Sequence, residues 1–183
     1  MGCCYSFGDE NTNTTAMMGT RVLVLYLDFD GVLHHHNVKG AQGSGPFLAA
    51  PPRYTLFQHA PLLEQLLERY PHVQIVLSTS WAYRYGTGIA ASRLPASLQA
   101  RVVGSTFSAC ITHLDDFAGM PRGMQVAADA ANRNPGDWIA LDDDAVGWPK
   151  QHLHRLVKAH PYEGISKPGV LKNLTKKLAQ LCA

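Results

Sequence analysis

The stretch V-L-V-L-Y-L-D-F-D-G-V-L, residues 22–33, decides the fold. Apolar, β-favouring residues from Val22 to Leu27 read as a buried strand, and the run ends on two carboxylates, Asp28 and Asp30. Residues i and i+2 of a strand point the same way, so the two acids share one side while Phe29 faces the other. Gly31 follows at once and lets the chain turn with positive φ. Two carboxylates side by side at a strand end are costly unless a cation, a shared proton or a substrate compensates them. A plain Asp-Gly turn needs one Asp and no apolar run before it.

Outward from this run the pattern alternates. Residues 60–70 place leucines at helical spacing behind Pro61, which predicts an amphipathic helix. Val73–Ser78 reads as a buried strand, Ser97–Arg101 as a short helical piece and Val102–Phe107 as a strand. Gly123–Asn132 predicts a helix, Trp138–Leu141 a strand, His154–Val157 a weaker strand, and Lys172–Leu181 a closing helix that starts near Pro168. Alternating β and α units imply a three-layer α/β domain around a mainly parallel sheet, with ligands beyond the strands' carboxyl ends. Gly40–Pro52 reads as a loop or flap. The gaps after Gly31 and after Trp81 are too short for an inserted cap domain, so the expected organisation is a disordered leader over 1–20 and one domain over 21–183, with the 34–56 loop as the only lid.

A second acidic run, Asp142-Asp143-Asp144, follows I-A-L at the end of another predicted strand. Opposite Asp28 and Asp30 it reads as half of a metal site; alone it would be a solvated turn. Ser78, Thr79 and Ser80 close the Val73–Leu77 strand, with Trp81 and Arg84 next as candidate substrate contacts.

The 183 residues are 46% hydrophobic and 16% charged, a globular composition with no apolar stretch near the ~20 residues that cross a bilayer. The net charge of +2 does not by itself indicate a nucleic-acid binder. From Lys150 onward, however, seven Lys/Arg stand against Glu163 alone, either a solvated helix surface or a face for an anionic partner. The four cysteines have neither metal-site nor disulfide-framework spacing, which fits a reducing, cytoplasmic setting. His34-His35-His36 reads as a solvated loop, with His34 near the acids. The opening Met-Gly-Cys-Cys-Tyr-Ser matches the pattern for N-myristoylation at Gly2 with Cys3 and Cys4 open to palmitoylation, which would anchor the protein in a eukaryotic cell.

Four segments together resemble the haloacid dehalogenase (HAD) superfamily: V-L-Y-L-D-F-D-G-V-L, then I-V-L-S-T-S-W at 75–81, then an Arg before a helix at 122, then I-A-L-D-D-D at 139–144. The closer likeness is to small capless HAD domains of bacterial and phage-related proteins, some of which occur in RNA-repair systems. The resemblance implies a HAD-like Rossmannoid fold and a Mg²⁺-dependent phosphatase. It implies that Asp28 is the nucleophile, passing through an aspartyl-phosphate, and that Asp30 is the general acid and base. Gly31, Ser78, Thr79 and Ser80 would surround the phosphoryl group, and Arg122 would balance the acids, with Lys167 its rival at another helix start. Mg²⁺ would be held by Asp28, the Asp30 carbonyl, Asp142 and Asp143. Without a cap the expected substrate is an exposed phosphate on a macromolecule such as a nucleic-acid end, with Lys172, Lys176 and Lys177 as the positive surface. A small-metabolite phosphatase and a non-catalytic HAD-fold module are the alternatives.

Overall fold

Three apolar runs pair side by side because they are buried on both faces, the condition under which parallel strands are stable, and two shorter, more exposed strands flank them. In the computed structural model, which describes residues 21–41, 45–109, 117 and 119–183, β1 (Leu23–Leu27) lies at the centre of a five-stranded sheet. It is flanked by β4 (Val73–Leu77) and then β5 (Val102–Ser105) on one side. On the other stand β6 (Asp137–Asp142) and then β7 (Leu156–Lys158). Every pairing in this sheet is parallel. The expected leader over 1–20, with Gly2, Cys3 and Cys4, and also Cys110, lie outside the described residues.

Alternation along the strands sorts the core into two halves. Leu23, Leu25 and Leu27 face a layer with Leu63 and Leu67 of α1 (Ala60–Leu67) and Leu98 of α4 (Ala96–Gln99). Leu174, Leu178 and Leu181 of α7 (Pro168–Leu181) complete that layer. Val24 and Tyr26 face Val126 and Ala130 of α6 (Arg122–Arg133), together with Trp138 and Trp148. The result is the three-layer α/β architecture implied by the alternating pattern. On the second face, fully buried Asp129 accepts a hydrogen bond from the Tyr26 hydroxyl (2.8 Å) and pairs with Arg133 (2.7 Å), which compensates its charge.

Several boundaries differ from the sequence reading. Within the Gly40–Pro52 stretch, expected to be loop, β2 (Val38–Ala41) and β3 (Gly45–Leu48) pair antiparallel, and Asn37 bonds the Ala49 carbonyl to close the pair. Two helices were not foreseen: α2 (Ser80–Tyr85), capped by the Thr79 hydroxyl accepting the Trp81 amide, and α3 (Thr87–Ala91), which starts after Gly86. Thr106 and Phe107 open α5 (Thr106–Ala109) instead of extending β5. His154 falls in a 3₁₀ turn (Lys150–Arg155) ahead of β7. Among the described residues no folded cap stands over the sheet.

The carboxyl end of α1, closed by the Tyr70 amide on the Leu67 carbonyl (2.9 Å), is also tied down from outside the helix. The Arg101 guanidinium donates to the carbonyls of Leu67 (3.0 Å), Tyr70 (2.8 Å) and Val73 (3.2 Å), joining the end of α1 to the start of β4. Arg101→Ala is expected to cost about 1–3 kcal/mol in urea unfolding, the usual loss when buried carbonyls lose a charged donor.

Candidate active site

The site follows from strand register. Leu27 pairs with Leu77 on one side and Leu141 on the other, so the next residues, Asp28, Ser78 and Asp142, form one row across three strand ends. The Asp28 amide donates to the Leu141 carbonyl (3.1 Å) and the Ser78 amide to the Leu27 carbonyl (2.9 Å), which fixes that row. The row lies at the carboxyl edge, where the chain has run outward from β1 through β4 to β5 and then crosses back to β6. Such reversals of strand order open a crevice for ligands.

Asp28, Asp142 and Asp143 bring carboxylate oxygens within 4.8 Å of one another. With Asp30, Ser80, Met120, Arg122, Gln125 and Asp144 they line a cleft of about 340 Å³. Gly31 (φ 72°) turns the chain so closely past Asp143 that a Cβ there would overlap its carboxylate, so glycine is required twice over. The Asp142 side chain caps its own turn by accepting the Asp144 amide (2.9 Å) through Oδ1, while its buried Oδ2 has no hydrogen-bond partner among the described residues.

The cleft's cation is Arg122, the first residue of α6. Gly123 lets the helix start close against Trp148, and this brings the guanidinium to 3.8 Å from Asp142 Oδ2. Gln125 accepts from Arg122 (2.9 Å) and donates to the Phe117 and Met120 carbonyls, fixing the arginine's direction. Lys167 instead pairs with Glu163 (2.8 Å) on an exposed surface.

One guanidinium does not neutralise this many acids. Burial, opposed by Arg122 and reinforced by Asp30, pushes the Asp28 carboxyl up to about 6 despite hydrogen bonds from the Phe29 amide and Thr79. Burial and the Asp28 charge push Asp143 up to about 6 as well, and they raise Asp142 well above the ordinary carboxylate range. Two buried carboxylates and a half-buried third, mutually repelling and with an orphaned oxygen, are the donor set that a hard divalent cation takes.

Asp30 sits in different company. Its Oδ1 meets the Trp81 indole N–H (2.9 Å) and His34 Nε2 (3.0 Å). His34 is fully buried, and its Nδ1 accepts the Phe57 amide (3.2 Å). That bond puts the neutral ring's proton on Nε2, so His34 donates to Asp30. Both donors hold one carboxylate oxygen, and no described residue is hydrogen-bonded to Oδ2.

Of the residues singled out from the sequence, Asp28, Asp30, Ser80, Arg122, Asp142 and Asp143 line the cleft, and Gly31 abuts Asp143. Ser78 lies in the same row, buried, its hydroxyl without a hydrogen-bond partner among the described residues. Thr79 caps α2 beside Asp28. Trp81 is buried beneath Asp30 and positions that acid, while Arg84 is exposed on α2 away from the cleft lining. His34 and His35 are buried, contrary to the solvated loop expected, because each ring packs against aromatic neighbours, Phe57 and Trp81 for one and Tyr54 and Tyr162 for the other. Lys177 bonds the His154 carbonyl beside Arg155, which holds Asp137 at the start of β6. That is the opposite edge of the sheet, about 16 Å of strand from Asp142.

A doubly wound parallel sheet with paired acids at the ends of β1 and β6 and an arginine at a helix start between them defines a HAD-type domain. Residues 24–170 match the model of one family in particular, the HAD domain in Swiss Army Knife RNA repair proteins, and the chain belongs to that family. No curated protein and no solved structure matches the chain.

Two outcomes follow, the first for the metal-free protein and the second for Mg²⁺ binding. The Asp143 carboxyl is raised when folded, so the folded state binds the extra proton and the penalty of ionising it grows as pH rises from about 4 through 6. Asp143→Asn should therefore raise the melting temperature by a few degrees at pH 7.5 in chelator, and much less at pH 4.5. Gly31→Ala should displace Asp143 and weaken the Mg²⁺-induced rise in melting temperature while the far-ultraviolet spectrum stays native.

Proposed function

We propose that this protein is a Mg²⁺-dependent phosphomonoester hydrolase that works through an aspartyl-phosphate on Asp28 and acts on an exposed phosphate of a nucleic-acid end. The observation that carries the reading is the division between the two acids of β1's end. Asp28 is packed with Asp142 and Asp143 against Arg122, and Asp30 is held by two N–H donors. Acids placed in such unlike surroundings take unlike roles.

In the first half-reaction an Asp28 carboxylate oxygen bonds to phosphorus, and the phosphorus–oxygen bond to the leaving alcohol breaks. The leaving oxygen takes the proton carried on Asp30. In the second half-reaction ionised Asp30 takes a proton from water, the resulting hydroxide attacks phosphorus, and the Asp28 oxygen leaves, returning the carboxylate and freeing inorganic phosphate. His34 and Trp81 keep one Asp30 oxygen fixed so that the other meets the leaving group and the water. Arg122, steered by Gln125, the Ser78 hydroxyl and the Thr79 amide are the donors for the phosphoryl oxygens. The carboxylates of Asp28, Asp142 and Asp143 with the Asp30 carbonyl would hold Mg²⁺, which supplies charge neutralisation at the phosphate.

The substrate assignment rests on two supports. The family's name places its HAD domain in RNA repair proteins, and the cleft has no cap among the described residues to enclose a small metabolite. Hydrolysis of an aryl phosphate should require Mg²⁺ and stop in chelator. Asp28→Asn should abolish both turnover and acid-trapped phosphoenzyme, because an amide does not attack phosphorus. Asp30→Asn should slow turnover by roughly 10²–10⁴-fold. A phosphoenzyme that still forms in Asp28→Asn would refute the role of Asp28, and turnover undiminished by chelator would refute the metal.

A further inference from the structure

Beside the acid cleft lies a second surface that the hydrolytic chemistry leaves unused. The turn after β1 carries His35 and His36, and the turn after β7 carries Tyr162. The two turns are laced together, with the His36 amide donating to the Pro161 carbonyl (2.8 Å) and the Ile165 amide to the Val32 carbonyl (3.0 Å). His35 stacks on Tyr162, centroids 5.1 Å apart and planes 29° apart, and meets Tyr54 edge-on at 4.8 Å. His36 lies 5.4 Å from Tyr162, and the Arg53 guanidinium covers the Tyr54 ring at 4.8 Å. His35 is the buried centre of this group. His36, Arg53 and Tyr162 are exposed, Tyr162 by 49%.

Both turns leave the same edge of the sheet as the acids. Gly31, where the first begins, abuts Asp143, and the Ala159 amide at the root of the second donates to the Asp142 carbonyl (2.8 Å). An aromatic already braced by neighbouring rings loses little freedom when a ligand stacks on it. Exposed π-faces beside a guanidinium suit a strand that offers bases and phosphodiesters in alternation. The rings are bordered by the His36 and His160 imidazoles and the Arg53 guanidinium, which favours a nucleic acid over an apolar protein face. Of the three lysines expected to bind such a strand, Lys177 points to the other edge.

We propose that Tyr162, His36, Tyr54 and Arg53 seat the terminal nucleobases of a single-stranded nucleic acid whose end phosphate enters the acid cleft. The proposal rests on the phosphatase reading above and adds the part of the protein that recognises the polymer.

The test compares kcat/KM for a phosphorylated oligoribonucleotide, for the same oligonucleotide with abasic terminal residues, and for p-nitrophenyl phosphate. In the wild-type protein the intact oligonucleotide should be preferred over the abasic one, a comparison that needs no variant. Tyr162→Ala should lower the ratio of oligonucleotide to aryl-phosphate kcat/KM by roughly 5- to 100-fold, the usual loss for one base–aromatic stack, and Tyr162→Phe should keep it. Equal rates on intact and abasic ends, or a ratio unmoved by Tyr162→Ala combined with Arg53→Ala, would overturn the proposal. If the protein hydrolyses none of the three, the phosphatase reading fails on its own. Fluorescence anisotropy of the labelled oligonucleotide then decides the surface: weaker binding by Tyr162→Ala upholds it, and equal binding or none by the wild type overturns it.

Discussion

Mutual repulsion among Asp28, Asp142 and Asp143 is the constraint around which this molecule is arranged. Three carboxylates held within 4.8 Å of one another do not stay together by themselves. Their backbones are locked by the β1–β6 ladder and by the Asp28 amide on the Leu141 carbonyl, and the side chains cannot swing far because Gly31 and Arg122 press in from either side. The apolar rows beneath, Leu23, Leu25 and Leu27 on one face and Val24 and Tyr26 on the other, supply the burial that offsets this electrostatic cost.

Two kinds of support surround the acids, and they differ in chemistry. Arg122 acts by charge at 3.8 Å, close enough to attract but without a hydrogen bond to Asp142, and Gln125 sets its direction. His34 and Trp81 act by directed hydrogen bonds on one oxygen of Asp30. The first arrangement tolerates a change of charge in its neighbourhood; the second fixes an orientation. Asp28 and Asp30 thus stand two residues apart yet answer to separate parts of the fold, the α6 start in one case and the α2 start with the β1 turn in the other.

The sequence made the central strand and both acidic ends legible because apolar runs of strand length closing on paired aspartates are rare unless something compensates the charge. The hairpin over 38–48 was hidden by its glycines and proline, which read equally well as a flap. Helix α2 was hidden because its apolar positions are aromatic and its cap, Thr79, belongs to the recognised S-T-S run. The burial of His34 could not be read from three consecutive histidines. Only the fold shows that Phe57 and Trp81 close over the first of them. Gln125 had no signal at all, since a glutamine inside a helix reads as surface until its partners are seen.

The parallel pairing of β1 with β6 joins segments more than a hundred residues apart, with β4 and β5 laid down between them in the chain. Such distant partners meet only after much chain entropy has been lost, so the last rung of that ladder, and with it the acid cluster, closes late in folding. A nascent chain therefore carries Asp28 long before it carries Asp142, and the repulsion between them is never felt until the sheet is nearly complete. A cation that binds only the finished cluster consequently acts on the rate of unfolding and leaves the rate of folding almost untouched.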